Sequence, residues 1–144
     1  MVVSQLKISY YKNLLLSMTV AKSHGAINIA KPVLLLAIFE GIECGEIQGN
    51  RILYCEQLIS RYDAIFQQYR DTITPSIYPY YYLDSEEFYY IKGAKARTTP
   101  SAKFLRENVE YASLDDDLWT LLQDAVIRNE FKEAIIKHYI KTEQ

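Results

Sequence analysis

Cysteine and histidine are scarce in this sequence, and their scarcity removes several functions at once. The two cysteines, Cys44 and Cys55, are separated by ten residues and have no partner at metal-ligand spacing. They fit reduced structural thiols, not a disulfide framework or a zinc site. The two histidines, His24 and His138, lie at opposite ends of the chain, so the paired histidines of an HNH-type metal turn are missing. A glycine-rich phosphate loop and a G-x-S-x-G elbow are also missing, as is any Cys–His pairing visible in the sequence. A restriction-type carboxylate site needs an acid followed by an acid-x-Lys strand. Asp84, Glu87 and Lys92 miss that spacing and read better as a solvated hairpin tip. The best apolar run, residues 32–39, is closed off by Glu40 and Glu43, far short of the ~20 residues of a membrane span. With no apolar segment followed by a small-residue cleavage site, a signal peptide is not expected either, and the chain reads as cytoplasmic. The expectation is therefore a protein with no catalytic centre, metal or cofactor of its own.

What is present is charge held apart and a surplus of tyrosine. The net charge of −2 argues against coating nucleic acid by bulk attraction. Residues 1–106 nevertheless carry 12 basic against 9 acidic side chains, while residues 107–144 carry 4 against 9. Lys92, Lys95, Arg97, Lys103 and Arg106 fall in one window, 92–106, that contains no acid. Such a window suits an anion-facing surface, or else a solvated loop and helix start. Tyrosine occurs 13 times and clusters between Tyr78 and Tyr90. Aromatics beside a basic segment suit nucleic-acid contact by stacking or by walling an apolar pocket, although core packing is the default for most of them.

The periodicity predicts a mainly helical single α+β domain, spanning 1–144, with a small antiparallel β-hairpin or sheet. Leu6, Tyr10, Leu14 and Met18 recur every four positions and mark an N-terminal helix at about 5–22. Ser23-His24-Gly25 is a turn, and residues 26–30 a connector. Pro32 suits the first turn of a second helix reaching Ile42 that is buried on most sides, with Gly45 as its stop. Residues 50–54 read as a short β element before a third helix, 56–69. Residues 77–83 and 88–91 read as the two strands of a hairpin, which places Tyr78, Tyr80 and Tyr82 on one face. Helices at about 101–108, 115–123 and 127–141 complete the chain, with Ser113 or Asp115 as a cap and Trp119 in the core.

Three stretches together resemble a known family: Ala30-Lys31-Pro32 leading into Val-Leu-Leu-Leu36, then Tyr78-Pro79-Tyr80, then Tyr111-Ala-Ser-Leu114-Asp115 with Leu118-Trp119 and Leu121-Leu122. Across about 27–141 the pattern is similar to the sulfur-binding domain of phosphorothioate-dependent HNH restriction endonucleases. In that family the domain recognises double-stranded DNA in which sulfur replaces a non-bridging phosphate oxygen, and a separate HNH domain cuts. The resemblance implies a reader of modified DNA with a nuclease acting in trans. It makes Tyr78 and Pro79, with Tyr82 beside them, candidates for an apolar wall, and Lys31 the basic residue at the helix start. Arg97 would reach into the groove, with Lys95, Lys103 and Arg106 as phosphate contacts or alternatives to it. Without the family, Lys31 would be a solvated helix start and Tyr78-Pro79 an edge-strand feature. Ala30 stands where members can carry histidine, and Tyr81-Tyr82 crowd the side where small residues are expected. The stretch contains no nuclease domain, which fits a free-standing reader or an excised or degenerate one. The alternative function is a protein-interaction domain of the same fold that has lost selective DNA binding, with its acidic end as the docking face.

Overall fold

The computed structural model describes residues 5–23, 26–93, 95 and 99–141. Arg97, and His24 with Gly25 of the expected turn, lie outside the described residues. The chain is a mainly helical α+β fold built around one apolar helix. Helix α1, Gln5–Leu15, is shorter than its periodicity suggests: Met18 is buried, but it follows the helix rather than extending it. The phenol of Tyr139 intervenes there, accepting the Met18 N–H at 3.0 Å and donating to the Leu15 carbonyl at 2.6 Å. The expected connector begins with a short antiparallel ladder instead, β1 (Lys22–Ser23) with β2 (Ala26–Ile27).

Helix α2, Ala30–Glu43, is the centre of the molecule. Pro32 sits in its first turn, where a missing N–H breaks no helical hydrogen bond. Every residue from Pro32 to Phe39 is buried, as the unbroken apolar run predicts. Gly45 follows its end at φ +82°, a left-handed conformation that glycine adopts without steric cost. Helix α3, Glu56–Tyr69, packs on α2 with Leu58, Tyr62, Ile65 and Phe66 buried.

Residues 77–83 are not a strand. Helix α4 runs Ile77–Tyr82 and tightens into a 3₁₀ turn at Leu83–Ser85. Ser76, Pro79, Tyr80 and Leu83 are the buried positions, a 3–4 spacing that belongs to a helix. Pro79 lies in the first turn, and the Pro75 carbonyl that it would have engaged accepts the Tyr78 N–H instead, at 3.2 Å. The expected hairpin is therefore replaced by a pair distant in sequence: β3 (Tyr89–Gly93) runs antiparallel to β4 (Val109–Leu114). The register, from Tyr89 opposite Leu114 to Lys92 opposite Tyr111, is interrupted before Gly93 pairs with Val109. Gly93 has φ +142°, and a Cβ there would stand 2.2 Å from the Asn108 carbonyl oxygen, so only glycine fits.

Between these strands, helix α5 (Ala102–Asn108) is capped by Ser101, whose hydroxyl accepts the Phe104 N–H at 3.0 Å. The short β element foreseen at 50–54 is a bridge from Ile52 to Ala112 on the outer edge of β4. Helix α6 (Asp116–Leu122) follows Asp115, and α7 (Ala125–Ile135) is capped by Asp124. The chain then widens into a π turn over Ile136–Ile140. Trp119 is half-buried against the core. No helix among the described residues is long and apolar enough to cross a membrane.

Candidate functional site

The start of α2, the segment after α1 and helix α4 converge on a notch of about 250 Å³. Thr19, Val20 and Ala21 form one side, Asn28, Ala30 and Lys31 the base of α2, and Thr74, Tyr78, Pro79 and Tyr82 the opposite wall. Helical geometry makes this wall, because Tyr78 and Tyr82 are one turn apart and share a face of α4. Tyr80, on the other side of the turn, is fully buried and donates its phenol to the Ile52 carbonyl at 2.7 Å. Lys31, Tyr78, Pro79 and Tyr82 are thus brought to one place. Tyr82 is 43% exposed and forms the rim. The ring of Tyr81 lies edge-on to Tyr82 and to Phe104 of α5 and is not on the notch wall.

Lys31 is not a solvated helix start. Its ammonium donates to the Thr19 carbonyl at 2.9 Å and to Glu86 at 2.8 Å, and the same Glu86 oxygen accepts the Thr19 N–H at 3.0 Å. Both side chains are largely withdrawn from water, at 15% and 11% exposure. In the sequence, residues 84–87 look like a hairpin tip, which gives no sign of Glu86 as the partner. The spacing of residues 31 and 86 carries no local signal, since only the tertiary fold joins them. Asn28 fixes the start of α2 by accepting the Ala30 N–H at 2.8 Å through its side-chain oxygen.

Of the remaining candidate cations, the three that lie among the described residues are elsewhere. Lys95 pairs with Asp84, whose other oxygen accepts the Ile91 N–H at 2.8 Å. Lys103 and Arg106 are exposed on α5. The ring sequence Phe104, Tyr81, Tyr82, with centroids 6.3 and 5.3 Å apart, links α5 to the rim of the notch.

A second recess, of about 360 Å³, opens between α2, the segment 46–53 and α3. Ile47, Leu53 and Leu58 supply its apolar surface and Glu46, Arg51 and Arg61 its charged groups. Arg61 is engaged by Glu46 at 2.6 Å and Glu40 at 3.3 Å. These ion pairs tie α2 to α3, with no local signal in the sequence that joins residues 40, 46 and 61. Gly41 is small for the same region, since a Cβ there would stand 2.6 Å from Ile47 Cδ1.

Tyrosine hydroxyls near the strands are neutral donors. Burial pushes those of Tyr62, Tyr80 and Tyr89 well above the usual phenol range. A hydrogen bond to the Asp115 carboxylate pushes Tyr90 up to about 12. Among the described residues, no cluster of three or more His, Cys, Asp or Glu is placed to hold a metal ion.

A mainly helical α+β fold with an apolar notch edged by an ion pair is the class these observations define. Compared with known proteins, the chain matches no family model, and no curated protein matches it either.

Proposed function

We propose that the protein is a DNA-binding module that recognises a phosphorothioate linkage in the duplex backbone, is not catalytic by itself, and works with a nuclease in trans. The observation that carries this reading is the notch itself, with Tyr78, Pro79 and Tyr82 on one wall and Lys31 at its edge. Sulfur is larger, more polarisable and less strongly hydrated than the oxygen it replaces, while the linkage keeps its negative charge. A mainly apolar recess accepts sulfur at little desolvation cost. An ordinary phosphate oxygen entering the same recess loses water without an equivalent partner. An unpartnered buried acceptor costs roughly 1–3 kcal/mol, about 5- to 150-fold in affinity.

Gel-shift titrations with matched duplexes, one carrying sulfur and one not, test the reading. Tighter binding to the modified duplex is expected, and equal or absent binding removes it.

One observation favours a second reading, a protein-interaction domain of the same fold. Lys31 and Lys95 already have carboxylate partners within the molecule. The surplus of acids in residues 107–144 would then be the docking face. A protein partner of that kind predicts no duplex binding at any salt concentration.

A further inference from the structure

Lys31, which lines the notch, and Lys22, which follows its wall in the chain, are not electrostatically equivalent. Lys31 and Glu86 form a hydrogen-bonded pair at 2.8 Å, both largely buried. A ligand beside such a pair feels a dipole, not a unit charge. Lys22 differs. It is exposed and, among the described residues, makes no ion pair. It follows directly on Ala21 of the notch wall, and in the β1–β2 ladder it lies opposite Ile27, next to Asn28 of the same wall. The Asn28 N–H binds the Ala21 carbonyl at 2.8 Å, so the root of this ladder is fixed to the notch.

We propose that Lys22, and not Lys31, is the cation that meets the DNA backbone beside the notch, while Lys31 and Glu86 act as an internally neutral pair that shapes its wall. The assignment rests on the DNA-binding reading above and names a contact within it. An exposed ammonium engages a phosphate oxygen as a point charge and carries no sequence information. Lys22 therefore contributes to every duplex, and the notch alone makes the distinction between sulfur and oxygen.

The salt dependence of binding separates the two lysines. Lys22→Ala is expected to weaken binding to modified and ordinary duplexes alike, and to reduce the slope of log affinity against log salt by about 0.9, the value for one phosphate contact. The double variant Lys31→Met, Glu86→Gln removes both charges of the pair and should leave that slope unchanged. If the double variant does not fold, Lys22→Arg beside Lys22→Ala gives the answer: arginine keeps the charge and should keep the wild-type slope, while alanine should lose about 0.9 of it. An unchanged slope for Lys22→Ala, or a slope reduced by about 0.9 in the double variant, overturns the assignment while leaving the DNA-binding reading in place. Absence of binding by the wild-type chain to either duplex removes both.

Discussion

Individual tyrosine hydroxyls fix segments that apolar packing leaves without direction. Tyr139 is the plainest case, since its phenol satisfies both the Met18 N–H and the Leu15 carbonyl where α1 ends. Those groups are buried, so Tyr139→Phe leaves them without this partner at the cost of one oxygen atom. A loss of roughly 1–3 kcal/mol is expected in urea unfolding. The notch residues Thr19, Val20 and Ala21 follow this anchor directly, so the same variant should bind modified DNA less tightly. At this scale much of the site is legible in the sequence. Tyr78 and Tyr82 are four residues apart, which is two repeats of a strand and about one turn of a helix. Both readings put the pair on one face, and only Tyr80 tells them apart. The Lys31–Glu86 pair was not legible, because nothing near either residue requires the other.

Among the elements, those with long apolar periods were legible and those whose shape depends on a distant partner were not. The extents of α2 and α3 follow from their own residues: an unbroken apolar run after Pro32, and a one-sided stripe between residues 56 and 69. Aromatic residues in 77–82 carry high strand propensity, and tertiary burial of Ser76, Pro79, Tyr80 and Leu83 overrides it. Strand β4 was missed because Ser113 and Asp115 look like a helix start. It becomes a strand by lying between β3 and the 50–52 segment. Asn50 secures that outer edge: its side-chain amide donates to the Leu114 carbonyl at 2.7 Å and its oxygen accepts the Leu114 N–H at 2.9 Å. Asn50→Ala should destabilise the fold by roughly 1–3 kcal/mol. Hydrogen exchange localises the effect, and faster exchange confined to β4 and residues 50–52 is the expected pattern. Unchanged protection there would contradict the bracing role.

For the whole molecule, the buried tyrosines set a pH limit whose sign is fixed. Tyr62, Tyr80 and Tyr89 are held above the ordinary phenol value of 10.0 by burial, and Tyr90 is raised to about 12 mainly by its bond to Asp115. A group raised on folding adds stability that is fully present below its unfolded value and is lost as the pH climbs through the folded one. The melting temperature should therefore be insensitive to tyrosine ionisation up to about pH 9 and fall above about pH 10. Tyrosinate absorbance should rise together with the loss of helical circular dichroism. Smooth ionisation of all tyrosines with the helical signal unchanged would contradict this.

The charge is also divided at the level of the whole chain. The acids of residues 107–144 would oppose DNA, so the proposed contact would fall on a face built from the earlier, more basic part. On that face the proposed recognition has sulfur entering the notch lined by the start of α2 and by α4. Phosphorus bearing one sulfur and one oxygen is a stereocentre, and under the proposed function the recess between α2 and α4 would take sulfur from one side only. Binding to duplexes that carry a single linkage of defined configuration is therefore the most direct measurement. One diastereomer should bind at least about tenfold more tightly than the ordinary duplex, and the other should match the ordinary duplex. Equal affinity for all three would contradict recognition by the notch.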